Sequence, residues 1–170
     1  MNIAIIGFRG TGKSVISGML SKTLDKKLVS IDEEISKKAR MSIAKYVKKY
    51  GWEKFRELES EVVDSLSEFD DCIFDTGGGI VMRNENITNL KKNSLIILLT
   101  ADLKTITQRI KASSKKTSMM KSDYLEEIKD VLAEREPRYK KAADYAIDTS
   151  GVSPEQVCDV IIHYIKSEMK

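Results

Sequence analysis

The chain has 170 residues, 32% of them charged, and its 29 Lys and Arg against 26 Asp and Glu leave a formal net charge of +3. This near balance excludes a broad polyanion-binding face, so nucleic acid is not an expected partner, and the length suits one domain over residues 1–170 around one core. No apolar run approaches the length of a membrane span, the first residues lack a leader pattern, and Cys72 and Cys158 form no C-x-x-C pair, which together predict a soluble cytoplasmic protein with buried thiols.

The first apolar run, Asn2 to Ile6, reads as a strand and leads directly into Gly7-Phe8-Arg9-Gly10-Thr11-Gly12-Lys13-Ser14. Glycines at these spacings let the backbone curl so that its N–H groups face phosphate oxygens. A lysine at position 13 reaches the outer phosphates, and a serine hydroxyl at 14 suits magnesium. The next residues, Val15, Ile16, Met19, Leu20 and Leu24, have helical spacing, so a helix over 13–24 adds the positive end of its dipole to the site. Gly10, Thr11, Gly12, Lys13, Ser14 and Val15 are therefore the expected nucleotide-binding residues.

Further along, Lys27 to Ile31, Cys72 to Asp75, Ser94 to Thr100 and Tyr145 to Asp148 read as strands. Helical patterns occupy 32–39, 42–50, 52–68, 102–111, 123–135 and 153–168, with Pro137 and Pro154 expected where helices stop or start. Alternation of this kind predicts an α/β fold, a parallel sheet covered by helices on both faces in three layers. The stretch 112–122 is polar and cationic without a clear period, and reads as a mobile lid.

In a parallel sheet, ligands sit beyond the carboxyl ends of the strands, so the residues that follow each strand should converge on the phosphate loop. After the second strand come Asp32, Glu33 and Glu34. The carboxylates of Asp32 and Glu34 can reach one cavity, although Asp32 alone would also serve as a helix N-cap. After the third strand come Asp75-Thr76-Gly77-Gly78-Gly79, where three glycines suit a ligand that approaches the main chain closely, with a flexible hairpin-like turn as the plainer alternative. After the fifth come Asp148 and Thr149. Arg56 and Glu59 lie one helical turn apart, so Glu59 can hold the Arg56 guanidinium as a rigid fork for a carboxylate, although most pairs so spaced are solvated surface pairs. Arg135 and Arg109 each end a predicted helix, where dipole compensation competes with a role in binding; for Arg109 that role is contact with base or phosphate. His163 reads as structural or exposed.

Taken in order, the phosphate loop, Asp32-x-Glu34, Gly51-x-x-x-Phe55-Arg56-x-x-Glu59, Thr76-Gly77-Gly78-Gly79, a lid, Arg135-x-Pro137-x-Tyr139 and Ile147-Asp148-Thr149 before Ser153-Pro154 resemble the shikimate kinase family over about residues 2 to 165. The resemblance implies a P-loop NTPase-type sheet with strand order 2-3-1-4-5. It also implies transfer of the terminal phosphoryl group of ATP to the 3-hydroxyl of shikimate by a monomer that uses Mg2+. By similarity, Lys13 and Asp32 are the catalytic residues, with Lys13 stabilising the migrating phosphoryl and Ser14 and Asp32 attending the metal. Glu34 would bind the acceptor's hydroxyls, Arg56 and Arg135 would clamp its carboxylate, and Gly77, Gly78 and Gly79 would close the pocket. The sequence departs from the family pattern at Glu34, where an Asp is usual, and in the lid, where Lys115 or Lys116 replaces an Arg-Pro-Leu-Leu arginine. Lys116 is thus the expected lid contact to nucleotide, as a point donor without a bidentate fork. A basic residue that often contacts adenine is also missing at Gly151 or Val152. These departures leave open a kinase for another small hydroxylated acid or polyol, or a nucleotide-binding regulator. A GTP-hydrolysing switch is disfavoured by the lack of an Asn-Lys-x-Asp string.

Overall fold

The structure, a computed structural model, describes residues 1–113 and 122–168. Strands β1 (Asn2–Ile6), β2 (Lys27–Ser30), β3 (Cys72–Asp75), β4 (Ser94–Thr100) and β5 (Tyr145–Asp148) pair in parallel in the order β2-β3-β1-β4-β5, as the resemblance implied. Strand β1 is central and wholly buried, and its alternating side chains supply both faces of the sheet. Ile3 and Ile5 pack with Ile16 and Leu20 of α1 (Lys13–Leu24) and with Val157 and Ile161 of α7 (Pro154–Glu168). Ala4 and Ile6 pack on the opposite face with Val62 and Val63 of α3 (Ile43–Leu66), Ile106 of α5 (Leu103–Ser113) and Ile128 of α6 (Ser122–Ala142). Each such isoleucine contributes roughly 1.5–3 kcal/mol by leaving water.

Register sets the catalytic edge. Asp75 lies opposite both Ile5 of β1 and Ser30 of β2, so the chain leaves β1, β2 and β3 at one level and delivers the phosphate loop, Asp32 and the glycines to the same place. Strand β2 ends at Ser30 rather than Ile31, because the Ser30 hydroxyl accepts a hydrogen bond from Glu33 N at 3.3 Å and caps α2 (Ile31–Ala39). Asp32 therefore sits in the first turn of α2 and is not its N-cap.

The helices expected at 42–50 and 52–68 are both present along α3, separated at Gly51, whose φ of 84° and ψ of 169° only glycine adopts cheaply. Three further expectations need correction. Helix α4 (Asn84–Lys91) and a 3-10 turn over Ile80–Met82 lie where the sequence pattern gives no helix; Asn84, Asn86, Thr88 and Asn89 are poor helix formers, and only Ile87 and Leu90 give that stretch an apolar face. Helix α5 continues past Arg109 to Ser113. Helix α6 runs through Pro137 to Ala142 instead of stopping before it, because Ile128 on one side of the proline and Tyr139 and Ala142 on the other are all buried in one core. Cys72 and Cys158 are free and buried, and His163 is exposed on α7. No helix among the described residues is long and apolar enough to cross a membrane.

Candidate active site

The turn between β1 and α1 wraps around the carbonyl of Phe8. Thr11 Oγ1 donates to that oxygen at 2.7 Å, Thr11 N at 3.3 Å and Lys13 Nζ at 3.1 Å. Gly12, at φ 94°, turns the chain into α1, whose first amides then face the loop's hollow. Ser14 Oγ donates to Asp75 Oδ2 at 2.7 Å. Arg109 fastens the loop from outside: its Nη1 donates to Gly10 O at 3.2 Å and to Thr149 Oγ1 at 2.8 Å, and its Nη2 to Thr149 O at 2.9 Å. Thr149 Oγ1 donates in turn to Thr11 O at 3.1 Å. Arg109 thus lines the nucleotide side but spends its donors on the protein, a bracing position that its place near a helix end did not reveal.

Two cavities open here. The larger, about 730 Å³, is lined by Gly10 to Ile16 and by Asp75, Arg109, Val152 and Pro154, among others. The smaller, about 350 Å³, is lined by Trp52, Phe55, Arg56, Glu59, Gly79 and Arg135, among others. Arg9, Asp32, Gly77 and Gly78 border both, so the chambers meet at the Asp32 carboxylate. Each volume lies in the range of small-ligand sites, and their junction is the natural path for a group passing from one ligand to another.

The smaller chamber sets the guanidiniums of Arg9, Arg56 and Arg135 beside the carboxylates of Asp32, Glu59 and Glu127. Arg56 Nη1 donates to Glu59 Oε1 at 2.7 Å, and Glu59 is 1% exposed. The same guanidinium lies 5.0 Å from the Phe55 ring centre and 5.6 Å from that of Trp52, so it is locked in position. Burial raises the Glu59 carboxyl above its ordinary range, with the Arg56 charge pulling the other way. Arg135 brings a second guanidinium, whose buried Nε has no hydrogen-bond partner.

Two of the three glycines, Gly77 and Gly79, are explained by what lies against them, whereas a Cβ on Gly78 would meet only ordinary contacts. A Cβ on Gly77 would come within 2.9 Å of Asp32 Oδ1, and one on Gly79 would land on the Arg56 guanidinium. One on Gly78 would lie 3.6 Å from Arg135 Nη1. Tyr139 donates its hydroxyl to the Gly78 carbonyl, and burial pushes its pKa up to about 12, so it remains a donor at any ordinary pH. Replacing Tyr139 with phenylalanine should cost about 1–2 kcal/mol of stability by leaving the Gly78 carbonyl unpaired. It should also lower kcat/KM roughly tenfold by releasing the glycine floor, which steady-state kinetics and denaturant unfolding would measure together.

Around the loop, burial lowers the Lys13 pKa to about 8 although Asp75 and Asp32 pull it upward. Desolvation pushes Asp32 upward, reinforced by the charge of Asp75, and Asp75 is itself raised by burial.

Most of the sequence-predicted residues converge here. Gly10, Thr11, Gly12, Lys13, Ser14, Val15 and Arg109 line the large chamber, Arg56, Gly79 and Arg135 the small one, and Asp32, Gly77 and Gly78 both. Glu34 does not join them. It lines neither cavity and accepts from Lys37 Nζ at 2.6 Å on the outer face of α2, because a residue two positions after Asp32 points away on a helix. Lys116, and with it nearly all of the stretch read as a lid, lies outside the described residues. Asp75 was visible in sequence as the end of the third strand but had no role assigned; the signal was its register with Ser30 and Ile5, which only pairing reveals.

Comparison with known proteins gives one answer. The model of the family described as shikimate kinase matches residues 9–166. A shikimate kinase of Thermodesulfovibrio yellowstonii is 37% identical over 161 residues, covering 95% of this chain and 92% of the relative. One from Caldanaerobacter subterraneus is 37% identical over 166 residues, covering 97% and 96%. Among solved structures, shikimate kinase from Acinetobacter baumannii in complex with shikimate superposes with a TM-score of 0.89 at 25% identity, covering 98% of this chain and 93% of that one. The Aquifex aeolicus shikimate kinase does so with a TM-score of 0.82 at 29% identity, covering 99% and 98%. With paired guanidinium groups and a phosphate loop opening on one carboxylate, and relatives of this similarity over nearly its whole length, the chain belongs to the shikimate kinase family.

Proposed function

We propose that the protein transfers the terminal phosphoryl group of ATP to the 3-hydroxyl of shikimate, with the nucleotide in the larger chamber and the acid in the smaller. The observation that carries this reading is the junction at Asp32. A phosphate-binding turn lies on one side of it, and Arg56 and Arg135 on the other, so a carboxylate anchored by the two guanidiniums leaves a ring hydroxyl facing Asp32. Because its pKa is raised, Asp32 can take the hydroxyl proton as the new oxygen–phosphorus bond forms. Lys13 neutralises the oxygens of the moving group, and the α1 amides hold the remaining phosphates.

The oxygen donors on this side also fit Mg2+. Ser14 Oγ and the Asp75 carboxylate are already in contact, and Asp32 lies close enough to Asp75 for their charges to interact, a hard-oxygen set of the kind magnesium accepts. When bound, the ion would screen charge between the outer phosphates. Every group in this scheme comes from one chain, consistent with a monomer, and the two free buried thiols suit a reducing cytoplasm.

The direct test is ADP release by purified protein with ATP and Mg2+, with and without shikimate, alongside calorimetric titration of shikimate. Shikimate-dependent turnover is expected. Turnover only with a different hydroxylated acid or polyol would move the acceptor, and nucleotide binding without turnover on any acceptor would favour a regulator.

A further inference from the structure

Arg9 has no role in the scheme so far, yet it borders both chambers. It belongs to the phosphate-binding turn, and its backbone N lies 3.6 Å from where a Cβ on Gly78 would stand, so its main chain is fixed at the junction. Its side chain is oriented by Tyr124 of α6. Nη2 donates to the Tyr124 hydroxyl at 2.7 Å, and the guanidinium carbon lies 5.4 Å from the Tyr124 ring centre. Among the described residues, Arg9 forms no ion pair with a carboxylate. By contrast, Glu59 holds Arg56, and protein oxygens of Gly10 and Thr149 occupy Arg109. Arg9 is exposed, so the fold does not depend on it for core packing.

We propose that Arg9 is a further catalytic residue, an arginine supplied in cis that contacts the phosphoryl group as it crosses between the chambers. The step is balanced without a proton from Arg9. The acceptor oxygen bonds to the terminal phosphorus as the bond to the ADP oxygen breaks, ADP keeps that electron pair, and the acceptor proton goes to Asp32. Lys13 meets the moving group from the floor of the turn and Arg9 from its rim, and a planar fork suits the spread equatorial oxygens better than an ammonium does. Tyr124 holds the fork in position before the ligands arrive. This inference rests on the kinase reading above.

The test compares Arg9→Ala, Arg9→Lys and Tyr124→Phe with the wild type. Arg9→Ala should lower kcat by about 10²-fold or more while both KM values change less than about threefold. Arg9→Lys should recover only part of the loss, guanidinium ion added to Arg9→Ala should restore activity in a saturable way, and Tyr124→Phe should lose severalfold. Calorimetry gives a readout independent of turnover: Arg9→Ala should bind ADP normally and ADP with aluminium fluoride, which mimics the moving group, at least tenfold more weakly. An unchanged kcat, a loss confined to the KM of shikimate, or equal weakening of ADP and its aluminium fluoride complex would each overturn the proposal. If wild-type protein shows no turnover with shikimate, the acceptor assignment fails, and the aluminium fluoride titration still decides the role of Arg9.

Discussion

Lys13→Met should abolish measurable turnover, by about 10³-fold or more, and at the same time make the ligand-free protein more stable. The two effects share a cause. Lys13 is 9% exposed, its ammonium donates to the Phe8 carbonyl, and burial holds its pKa near 8 against the ordinary 10.5. Below pH 8 the folded protein keeps a buried charge that the unfolded chain carries freely, a cost of up to about 3 kcal/mol. Between pH 8 and 10.5 the unfolded chain binds more protons than the folded one, so this cost declines as pH rises through that window. Removing the ammonium should therefore raise stability at pH 7 by roughly 1–3 kcal/mol, less what the lost Phe8 bond contributed. Thermal unfolding of ligand-free wild type and variant at pH 7 and pH 10 checks it. The variant's advantage should be large at pH 7 and shrink at pH 10, and a variant less stable at pH 7 would contradict the account.

The two guanidinium groups of the acceptor chamber should fail differently when truncated. Arg135→Ala should raise the KM for shikimate by about 30-fold to 10³-fold, the cost of removing one partner of a desolvated charge pair. It should change stability little, since Arg135 forms no ion pair among the described residues and its Nε is buried without a hydrogen-bond partner. Arg56→Ala should produce a similar kinetic loss and in addition lower stability by about 3–5 kcal/mol, because it strands the Glu59 carboxylate, 1% exposed, without its counter-ion. Steady-state kinetics beside urea unfolding separates the two. Equal stability losses in both variants would mean that Arg135 is as much a structural residue as Arg56. Glu59→Gln added to Arg56→Ala should recover much of the stability lost in Arg56→Ala, since no charge is then left buried and alone.

What could be read in advance follows from how local each signal is. The phosphate-binding turn, its strand and its helix are contiguous and appear where the pattern put them, and the five strands need only short apolar runs between turns. Arg56 and Glu59 pair because one helical turn separates them. Glu34 falls outside the cleft because two residues on a helix diverge by more than half a turn, so it reaches Lys37 while Asp32 reaches the cleft. Asp75 could not be tied to Ser14 from sequence, because 61 residues separate them and only the alignment of β1 with β3 joins them. At Pro137 the local penalty points to a helix end, and the core contacts of Tyr139 and Ala142 on its far side outweigh it. The Asn84–Lys91 helix has weak propensity and owes its existence to packing, with Leu90 buried and Asn86 Nδ2 donating to Ile80 O at 3.0 Å.

Gly77, Gly78 and Gly79 act as a template on which three charged groups from three different helices are spaced one residue apart: Asp32 from α2, Arg135 from α6 and Arg56 from α3. A base made of bare main chain has no side chains to vary, so changes in which acid is accepted must arise in the surrounding walls, at Ile43, Trp52 and Val131. Divergence toward new acceptors should therefore reshape the sides of the chamber and leave the spacing of its charges intact.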